Sequence, residues 1–181
     1  GVRFDTLGLS QEMLRALEKK HYEVSTPIQA GCIPPMLNWQ DVTAKAPTGT
    51  GKTFAFGIPI IEHIDQDSDQ VQAAILAPTR ELAMQITSEM RDLAQFRPGV
   101  RLVCLYGGQP IGKQIDALKK KPQIVVATPG RLGDHLKRRT VRIDQVQTVI
   151  LDEADRMLDM GFIHDVTKIL DQMKKRKNLG L

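Results

Sequence analysis

The sequence of 181 residues contains few cysteines and few aromatic residues, and no long apolar segment. Its two cysteines, Cys32 and Cys104, have the spacing of neither a metal site nor a redox pair, which favours two buried thiols in a reducing, cytoplasmic compartment. No run approaches the roughly 18 apolar residues of a membrane span, and residues 1–5 do not resemble a signal peptide. We therefore expect a soluble monomer that has no membrane partner.

The low aromatic content limits how this chain could bind nucleic acid. Aromatic residues make up 4% of the sequence, too few for a surface that stacks successive bases. The formal net charge of +4 is compatible with a partner that carries phosphates. Basic runs at residues 119–121, 137–139 and 174–177 favour solvated helix ends, with nucleic-acid strips as the alternative. A nucleic acid would therefore be held by its backbone.

The distribution of apolar residues predicts a parallel α/β sheet in a single domain, which at this length buries about 70% of its unfolded surface. Runs with strand character recur at residues 41–46, 71–77, 100–105, 124–127 and 148–151. Amphipathic helices are predicted at residues 80–94 and 162–173, and an exposed loop at 65–70. Ligands of such sheets collect at the carboxyl ends of the strands, where four polar segments should meet: 46–53, 78–80, 128–131 and 152–153.

Residues 46–53, Ala-Pro-Thr-Gly-Thr-Gly-Lys-Thr, predict a phosphate-binding loop. Small residues allow successive backbone N–H groups and Lys52 to surround a polyphosphate, while the hydroxyl of Thr53 faces Mg²⁺. The usual pattern begins with glycine, whereas this one begins with Ala46. A lysine at the start of a helix opposes the helix dipole, so a bound anion explains it better than an ordinary exposed first turn.

An acidic cluster, Asp152-Glu153-Ala154-Asp155, follows the apolar run 148–151 and lies a hundred residues after Lys52. At the end of a buried parallel strand, one carboxylate would face a metal ion and one a water molecule. The alternative is an acidic cap on the helix that starts near Arg156. Together with the phosphate loop, the cluster indicates nucleotide hydrolysis.

These segments, in this order, resemble the amino-terminal RecA-like domain of DEAD-box ATP-dependent RNA helicases, a branch of helicase superfamily 2. The matching motifs are Phe4, residues 22–29 (the Q motif), 46–53 (motif I), 78–83 (PTRELA), 107–108 (GG), 128–131 (TPGR) and 152–155 (DEAD). The resemblance covers nearly the whole chain. It implies an α/β fold, a RecA-like P-loop three-layer sandwich whose mainly parallel central sheet is flanked by helices.

The resemblance also implies ATP and Mg²⁺ as cofactors. The implied ATP-binding residues are Phe4, Tyr22, Gln29, Pro47, Thr48, Gly49, Thr50, Gly51, Lys52 and Thr53. Three residues are implied in catalysis: Lys52 would bridge the β- and γ-phosphates, Asp152 would hold Mg²⁺ together with Thr53, and Glu153 would polarise the attacking water. Asp155 matches the residue that links this site to neighbouring motifs.

The Q motif has a physical logic of its own. Thr26 can cap a helix that has Pro27 in its first turn, which fixes Gln29 one turn in, where an amide can donate to and accept from the edge of adenine. By the resemblance, Tyr22 stacks on that base and Phe4 packs nearby. Without the other motifs, a lone helical glutamine would indicate a surface residue. The family usually has Gly at position 21 and Pro at 25, where this chain has His21 and Ser25.

For RNA, single-stranded or duplex, the resemblance implies contacts to phosphate and ribose. The matching residues are Thr79, Arg80, Gly108, Thr128, Gly130 and Arg131. Glycines let the backbone approach the strand, and residues that begin helices expose N–H donors, so this mode recognises shape and not sequence. On their own, Arg80 and Arg131 favour salt bridges near helix starts.

Residues 1–181 are expected to form one RecA-like domain that ends before the family's Ser-Ala-Thr motif. A second RecA-like domain is then the expected partner; it would supply arginine fingers, and without it this chain should turn over almost no ATP. Two rival hypotheses remain. Another P-loop enzyme, such as a kinase or a transporter ATPase, would need neither Gln29 nor residues 128–131. An ATP-gated RNA clamp would share every motif but would not unwind RNA.

Overall fold

The structure is a computed structural model that describes residues 1–44, 50–174 and 176–181. Its centre is a sheet of five strands in the order β2, β3, β1, β4, β5, and each pairing between these strands is parallel. The strands are β1 (Ala73–Leu76), β2 (Leu102–Leu105), β3 (Ile124–Ala127), β4 (Thr148–Leu151) and β5 (Asn178–Gly180). The predicted parallel α/β sheet is confirmed.

Helices cover both faces of this sheet. After a 3₁₀ turn at Phe4–Thr6, the first face carries α1 (Gln11–Lys19), α2 (Pro27–Leu37), α3 (Thr50–His63) and α4 (Arg80–Leu93). The second face carries α5 (Ile111–Leu118), α6 (Pro129–Arg138), α7 (Ala154–Asp159) and α8 (Ile163–Asp171). The result is the three-layer sandwich that the sequence predicts.

The strands are apolar on both sides because the sheet is covered on both sides. Successive side chains of a strand point to opposite faces, so Ile75 packs into the core beneath α1–α4, while Ala74 and Leu76 pack into the core beneath α5–α8. All four residues of β1, β3 and β4 are buried. This alternation fixes the register that brings the carboxyl ends of neighbouring strands to one edge.

The predicted amphipathic helices are confirmed as α4 and α8, and residues 65–70 form the expected, largely exposed loop. None of the described helices combines the length and apolar character that a bilayer crossing requires. Cys32 is buried as expected, whereas Cys104 is only partly buried because it lies on the edge strand β2. Burial raises the pKa of both thiols.

The sequence did not predict β5, whereas the predicted run at residues 41–46, of which 45 and 46 lie outside the described residues, pairs with the end of the chain: the N–H of Ala44 donates to Leu181 O at 3.2 Å. In the described part of that segment, Val42 forms one parallel bridge to Gly180, with its N–H donating to the carbonyl of Leu179 at 3.1 Å. Residues 178–180 have no local strand signal, because glycine and asparagine disfavour strands. Their pairing comes from β4, where the buried Thr148 hydroxyl donates to Asn178 Oδ1 at 2.6 Å.

Candidate functional site

The predicted functional segments meet at the carboxyl edge of the sheet. Residues 78–80 follow β1, residues 128–131 follow β3 and residues 152–153 follow β4, and these three strands are neighbours. The connection that leaves β1 runs to one side of the sheet and the one that leaves β4 runs to the other. Open α/β sheets bind ligands at such a topological switch point. Helix α3 begins there at Thr50. Of the predicted phosphate loop, residues 46–49, including Pro47, Thr48 and Gly49, lie outside the described residues, as does the side chain of Thr50.

A buried ion pair joins the two clusters that the sequence singled out. The ammonium of Lys52, in the first turn of α3, contacts Oδ1 of Asp152, at the end of β4. Asp152 is 4% exposed and Lys52 19%. Burial raises the pKa of Asp152, and the hydrogen bond and charge of Lys52 offset part of that rise. The contact spans a hundred residues of sequence, so the fold assembles a cation and an anion at one point.

The residues present at this point fit a magnesium ion. Thr53 is buried at 6% exposure in the first turn of α3, one residue after Lys52, so a hydroxyl and a carboxylate come to the same edge. Oδ1 of Asp152 is buried and, apart from the Lys52 contact, has no hydrogen-bond partner among the described residues. Oxygen donors of this kind suit a hard cation, which usually keeps several of its waters.

Glu153 has a backbone conformation that residues with side chains seldom adopt. Its φ of 54° and ψ of 51° lie in the left-handed region, and it begins α7 without a side-chain capping bond. The acidic-cap alternative therefore does not describe this cluster, since Asp152 is committed to Lys52 and Glu153 caps nothing. Such an uncommon conformation costs free energy and is often found at functional sites. Asp155 is exposed on the first turn of α7.

Gln29 connects the Q motif to the phosphate loop. Thr26 and Gln29 form the reciprocal capping box of α2: Gln29 Oε1 accepts from the Thr26 N–H at 2.9 Å. Gln29 Nε2 donates to the carbonyl of Gly51 at 3.2 Å. The side chain is 3% exposed, which excludes the surface-residue alternative. Among the described residues nothing fills the second hydrogen-bonding position of either amide atom, which leaves a donor and an acceptor for a ligand.

The two aromatic residues assigned to the nucleotide lie at different depths. Tyr22 is 40% exposed and packs edge-on against Phe54 of α3, with ring centroids 5.2 Å apart. Phe4 is 2% exposed and belongs to the core, where its N–H donates to Glu23 O at 3.0 Å. Tyr22 thus offers ring surface to a ligand, whereas Phe4 supports the Q motif from behind.

The two departures from the family pattern have local explanations. His21 has a φ of 63°, in the region where glycine is unstrained, so this turn holds an imidazole at a cost of about 1 kcal/mol. Ser25 anchors the amino terminus, because its N–H and its hydroxyl both donate to the carbonyl of Val2, at 2.7 and 2.6 Å. Proline has no N–H for the first of these bonds.

The first group of predicted RNA contacts surrounds the start of α4. The hydroxyl of Thr79 caps this helix by accepting from the Leu82 N–H at 3.2 Å. Arg80 is exposed, and its guanidinium lies 5.0 Å from the ring centre of Tyr106. Gly108 has a φ of 92°, which favours glycine, and a Cβ atom there would only make ordinary contact with the Arg80 guanidinium, at 3.5 Å. Arg80 therefore makes a cation–π contact in place of the expected salt bridge.

The second group surrounds the start of α6. Thr128 occupies the N-cap position but makes no side-chain capping bond, and Gly130 is exposed in the first turn. Nη1 of Arg131 donates to the carbonyl of Gln109 at 3.0 Å, and its Nε lies 3.6 Å from Oδ2 of Asp134. Arg131 thus has the local ion pair of the alternative interpretation and also connects α6 to the loop after β2.

Two buried polar residues that the sequence did not predict, Gln114 of α5 and His135 of α6, lie behind these loops. They are 2% and 0% exposed, and Nε2 of His135 lies 2.8 Å from Oε1 of Gln114. Burial lowers the pKa of His135, and Arg131 lowers it further. A sequence signal existed for Gln114: it lies three residues after Ile111 and four before Leu118, on the apolar stripe of its helix.

Comparison with known proteins identifies the family. The family model for the DEAD/DEAH box helicases matches residues 26–181. The DEAD-box ATP-dependent RNA helicase CshA of Geobacillus kaustophilus is 51% identical over 170 residues, which is 94% of this chain and 36% of that protein. CshA of Bacillus subtilis is 49% identical over 172 residues, 95% of this chain and 35% of that protein. The chain thus spans about a third of the length of these relatives.

Solved structures agree with the sequence comparison. A DEAD box protein from Methanococcus jannaschii superposes with a TM-score of 0.92 at 43% identity, over 99% of this chain and 49% of that one. A hypothetical ATP-dependent RNA helicase from Sulfolobus tokodaii gives 0.87 at 36% identity, over 96% of this chain and 50% of that one. With a matching family model, half-identical relatives and the same fold, the chain belongs to the DEAD/DEAH box helicase family.

Proposed function

We propose that this chain is the ATP-binding and RNA-backbone-binding domain of an ATP-dependent RNA helicase. In the intact protein it would act with a second RecA-like domain, in the cytoplasm, to couple ATP hydrolysis to local unwinding of RNA. The observation that carries this proposal is the buried contact between Lys52 and Asp152, with Thr53 beside it.

The ion pair indicates how the site would respond to ATP. Without nucleotide, the Lys52 ammonium neutralises a carboxylate that burial would otherwise penalise. Phosphate oxygens offer the same ammonium a stronger, multiply charged partner. Lys52 would then turn to the β- and γ-phosphates and free Asp152, which together with Thr53 would hold Mg²⁺. When bound, Mg²⁺ would neutralise charge that develops on the phosphate oxygens.

Glu153 is the residue that we assign to the attacking water. It directly follows Asp152, and its side chain is partly exposed. Its left-handed backbone turns the chain away from the line of β4 and into α7. A carboxylate in this position can accept a hydrogen bond from the attacking water and so orient a lone pair of the water oxygen toward the phosphorus atom. Its neighbour Arg156 lies with Nη1 3.6 Å from Oε1 of Glu153 and restrains the side chain.

Gln29 would make the site selective for adenine. Its amide has one donor and one acceptor position that no described residue fills, and guanine presents the opposite pattern on the matching edge. Because Nε2 of Gln29 also donates to the carbonyl of Gly51, a hydrogen bond connects the residue that would recognise the base to the phosphate loop. Tyr22, with its exposed ring, would stack on the base.

RNA would bind along the loops that follow β1, β2 and β3. This half of the carboxyl edge offers guanidinium groups at Arg80 and Arg131 and glycines at 108 and 130. It also offers the hydroxyl of Thr128, which makes no capping bond to α6. These groups suit phosphate and ribose, and none of them is held in a pocket where it could hydrogen-bond the edge of a base. A grip of this kind has no sequence register to follow, so unwinding would be local.

Titration of this chain with a fluorescent ATP analogue tests the nucleotide assignment. We expect Lys52→Ala to abolish binding, because the phosphates lose their ammonium partner. Lys168→Ala is the matched control: it also replaces a helical lysine, but one exposed on α8, and it should bind like the wild type. Equal binding by both variants would remove Lys52 from the site.

Duplex unwinding by the full-length protein separates a helicase from an RNA clamp. A helicase should release a short labelled strand when ATP is added. A protein that holds RNA in the presence of a non-hydrolysable ATP analogue, yet releases no strand during ATP turnover, would instead be a clamp.

A further inference from the structure

A buried polar cluster lies behind the proposed RNA-binding loops. We define it as the positioning cluster: Gln114 of α5, His135 of α6 and Thr140, which follows α6. Gln114 and His135 are almost fully buried, and neither reaches the surface on which RNA would lie. The cluster contacts both the loop after β2 and the first turns of α6. It is therefore placed to fix one RNA-binding loop relative to the other.

The amide of Gln114 has each of its four hydrogen-bonding positions filled. Nε2 donates to the carbonyl of Tyr106 at 2.8 Å and to Oε1 of Gln109 at 2.9 Å. Oε1 accepts from Nη1 of Arg131 at 3.3 Å and lies 2.8 Å from Nε2 of His135. Turning the amide over would set its oxygen against the Tyr106 carbonyl and its N–H₂ against a guanidinium. One orientation is therefore strongly favoured.

That orientation determines the state of His135. Since Oε1 of Gln114 is an acceptor, Nε2 of His135 carries a proton and donates to it. Nδ1 lies 2.8 Å from the Thr140 hydroxyl oxygen, which also lies 3.1 Å from the carbonyl oxygen of His135, so next to a neutral ring the single hydroxyl proton is shared between these two acceptors. The imidazole is thereby held by a bond at each nitrogen. It presents a fixed donor to Gln114 without adding a charge beside Arg131.

The same contacts extend to residues that we assign to RNA. Arg131 touches Gln114 and the carbonyl of Gln109, so one guanidinium ties α6 to the loop after β2. Gly108 lies within that loop, between the two residues whose atoms Gln114 holds, Tyr106 and Gln109. Arg80 in turn stacks on Tyr106. The loop after β2 and the first turn of α6 are thus bonded directly to one buried amide, and Arg80 contacts the first of them through the Tyr106 ring.

Resting on the function proposed above, we propose that Gln114, supported by His135, is a positioning residue for RNA binding. It does not touch RNA. It holds Arg131 and the loop of Gly108 at the separation that successive phosphates require. An apolar side chain would fill the same space with a smaller desolvation penalty, but it would hold neither loop by directed bonds.

The test compares two buried glutamines that serve different edges of the sheet. Gln114→Met keeps the side-chain volume and removes the four contacts. Gln123→Met is the matched control: Gln123 is 0% exposed and bonds Arg101 N, Gly99 O and loop carbonyls, but at the amino edge, before β3. Both variants should be less stable than the wild type. Only Gln114→Met should lose affinity for a fluorescein-labelled single-stranded oligouridylate, by about tenfold.

The readouts separate positioning from general destabilisation. Binding of the fluorescent ATP analogue should be unchanged in both variants. Two results would each overturn the positioning role: equal RNA affinity in Gln114→Met and Gln123→Met, or a loss in Gln114→Met that affects RNA and nucleotide alike. If the wild-type chain binds nucleotide but no oligouridylate, the RNA-binding function itself fails, and this inference fails with it.

A double-mutant cycle tests the route through Arg131. If Gln114 acts by holding Arg131, then Gln114→Met should add little to the loss caused by Arg131→Ala, and the double variant should be at most about threefold weaker than the weaker single variant. Independent roles would instead multiply the two losses. Multiplied losses would show that Gln114 does not act through Arg131 and would overturn the proposed route.

Discussion

Removing the amino group of Lys52 should destabilise the folded chain through the carboxylate it leaves behind. Asp152 is 4% exposed, so in Lys52→Ala its charge is buried without a partner. Breaking a buried pair in this way costs about 3 to 5 kcal/mol. Lys52 keeps 19% of its side chain exposed, which lets water partly replace it, so we expect about 3 kcal/mol. With an unfolding entropy of about 0.4 kcal/mol/K for 181 residues, Tm should fall by about 8 °C.

The stability loss caused by Lys52→Ala should depend on pH, because Asp152 titrates. Burial raises the pKa of Asp152 above its ordinary 3.8, so protonation of Asp152 stabilises the folded state. This contribution to the free energy of unfolding is fully present below pH 3.8 and is lost as the pH rises through the raised pKa of Asp152. Loss of Lys52 raises the pKa further, because the ammonium was lowering it. The difference between Lys52→Ala and the wild type should therefore be largest near neutral pH and should narrow in acid.

Urea denaturation at about pH 7 and about pH 5, without nucleotide, measures both effects. Lys168→Ala again controls for replacing a helical lysine with alanine. The double variant Lys52→Ala/Asp152→Asn should recover most of the lost stability, since no charge remains to be buried. A Lys52→Ala variant as stable as Lys168→Ala at both pH values, or a double variant no better than the single one, would refute the reasoning.

Three further predictions concern ligands. In the two-domain protein, Glu153→Gln should keep ATP affinity but stop phosphate release, because an amide is a far weaker base than a carboxylate; normal release would remove Glu153 from the chemistry. GTP should compete with the fluorescent ATP analogue much less well than ATP does, and equal competition would contradict the adenine contact assigned to Gln29. Arg80→Ala should weaken oligouridylate binding and reduce its salt dependence by about one counterion, while Arg142→Ala, at an exposed position on the opposite edge, should leave both nearly unchanged.

Local sequence patterns predicted the cap of α2 and the buried strands correctly, because both depend on residues that are nearly contiguous in the chain. Thr26, Pro27 and Gln29 lie within a single helical turn, so their capping box follows from spacing alone. The apolar runs that became β1, β3 and β4 are buried on both faces and therefore stand out in the sequence.

The errors concern features that distant residues decide. Residues 178–180 became a strand because β4 was available to pair with them, and Val42 paired with that strand in turn. Nothing in the local sequence distinguishes Arg80 from Arg131, yet Arg80 lies on the Tyr106 ring and Arg131 bonds a carbonyl of another loop. Gln114 was overlooked because all of its partners lie on other segments or on the loop before its helix.

The sequence alone determined which groups we assign to a triphosphate and to an RNA backbone, because glycine loops, capping residues and acidic strand ends are short-range patterns. Tertiary structure alone decided that Lys52 and Asp152 share one buried point and that a single glutamine holds two loops. Such contacts depend on strand order and register, which arise from packing both faces of the sheet and which no local pattern contains.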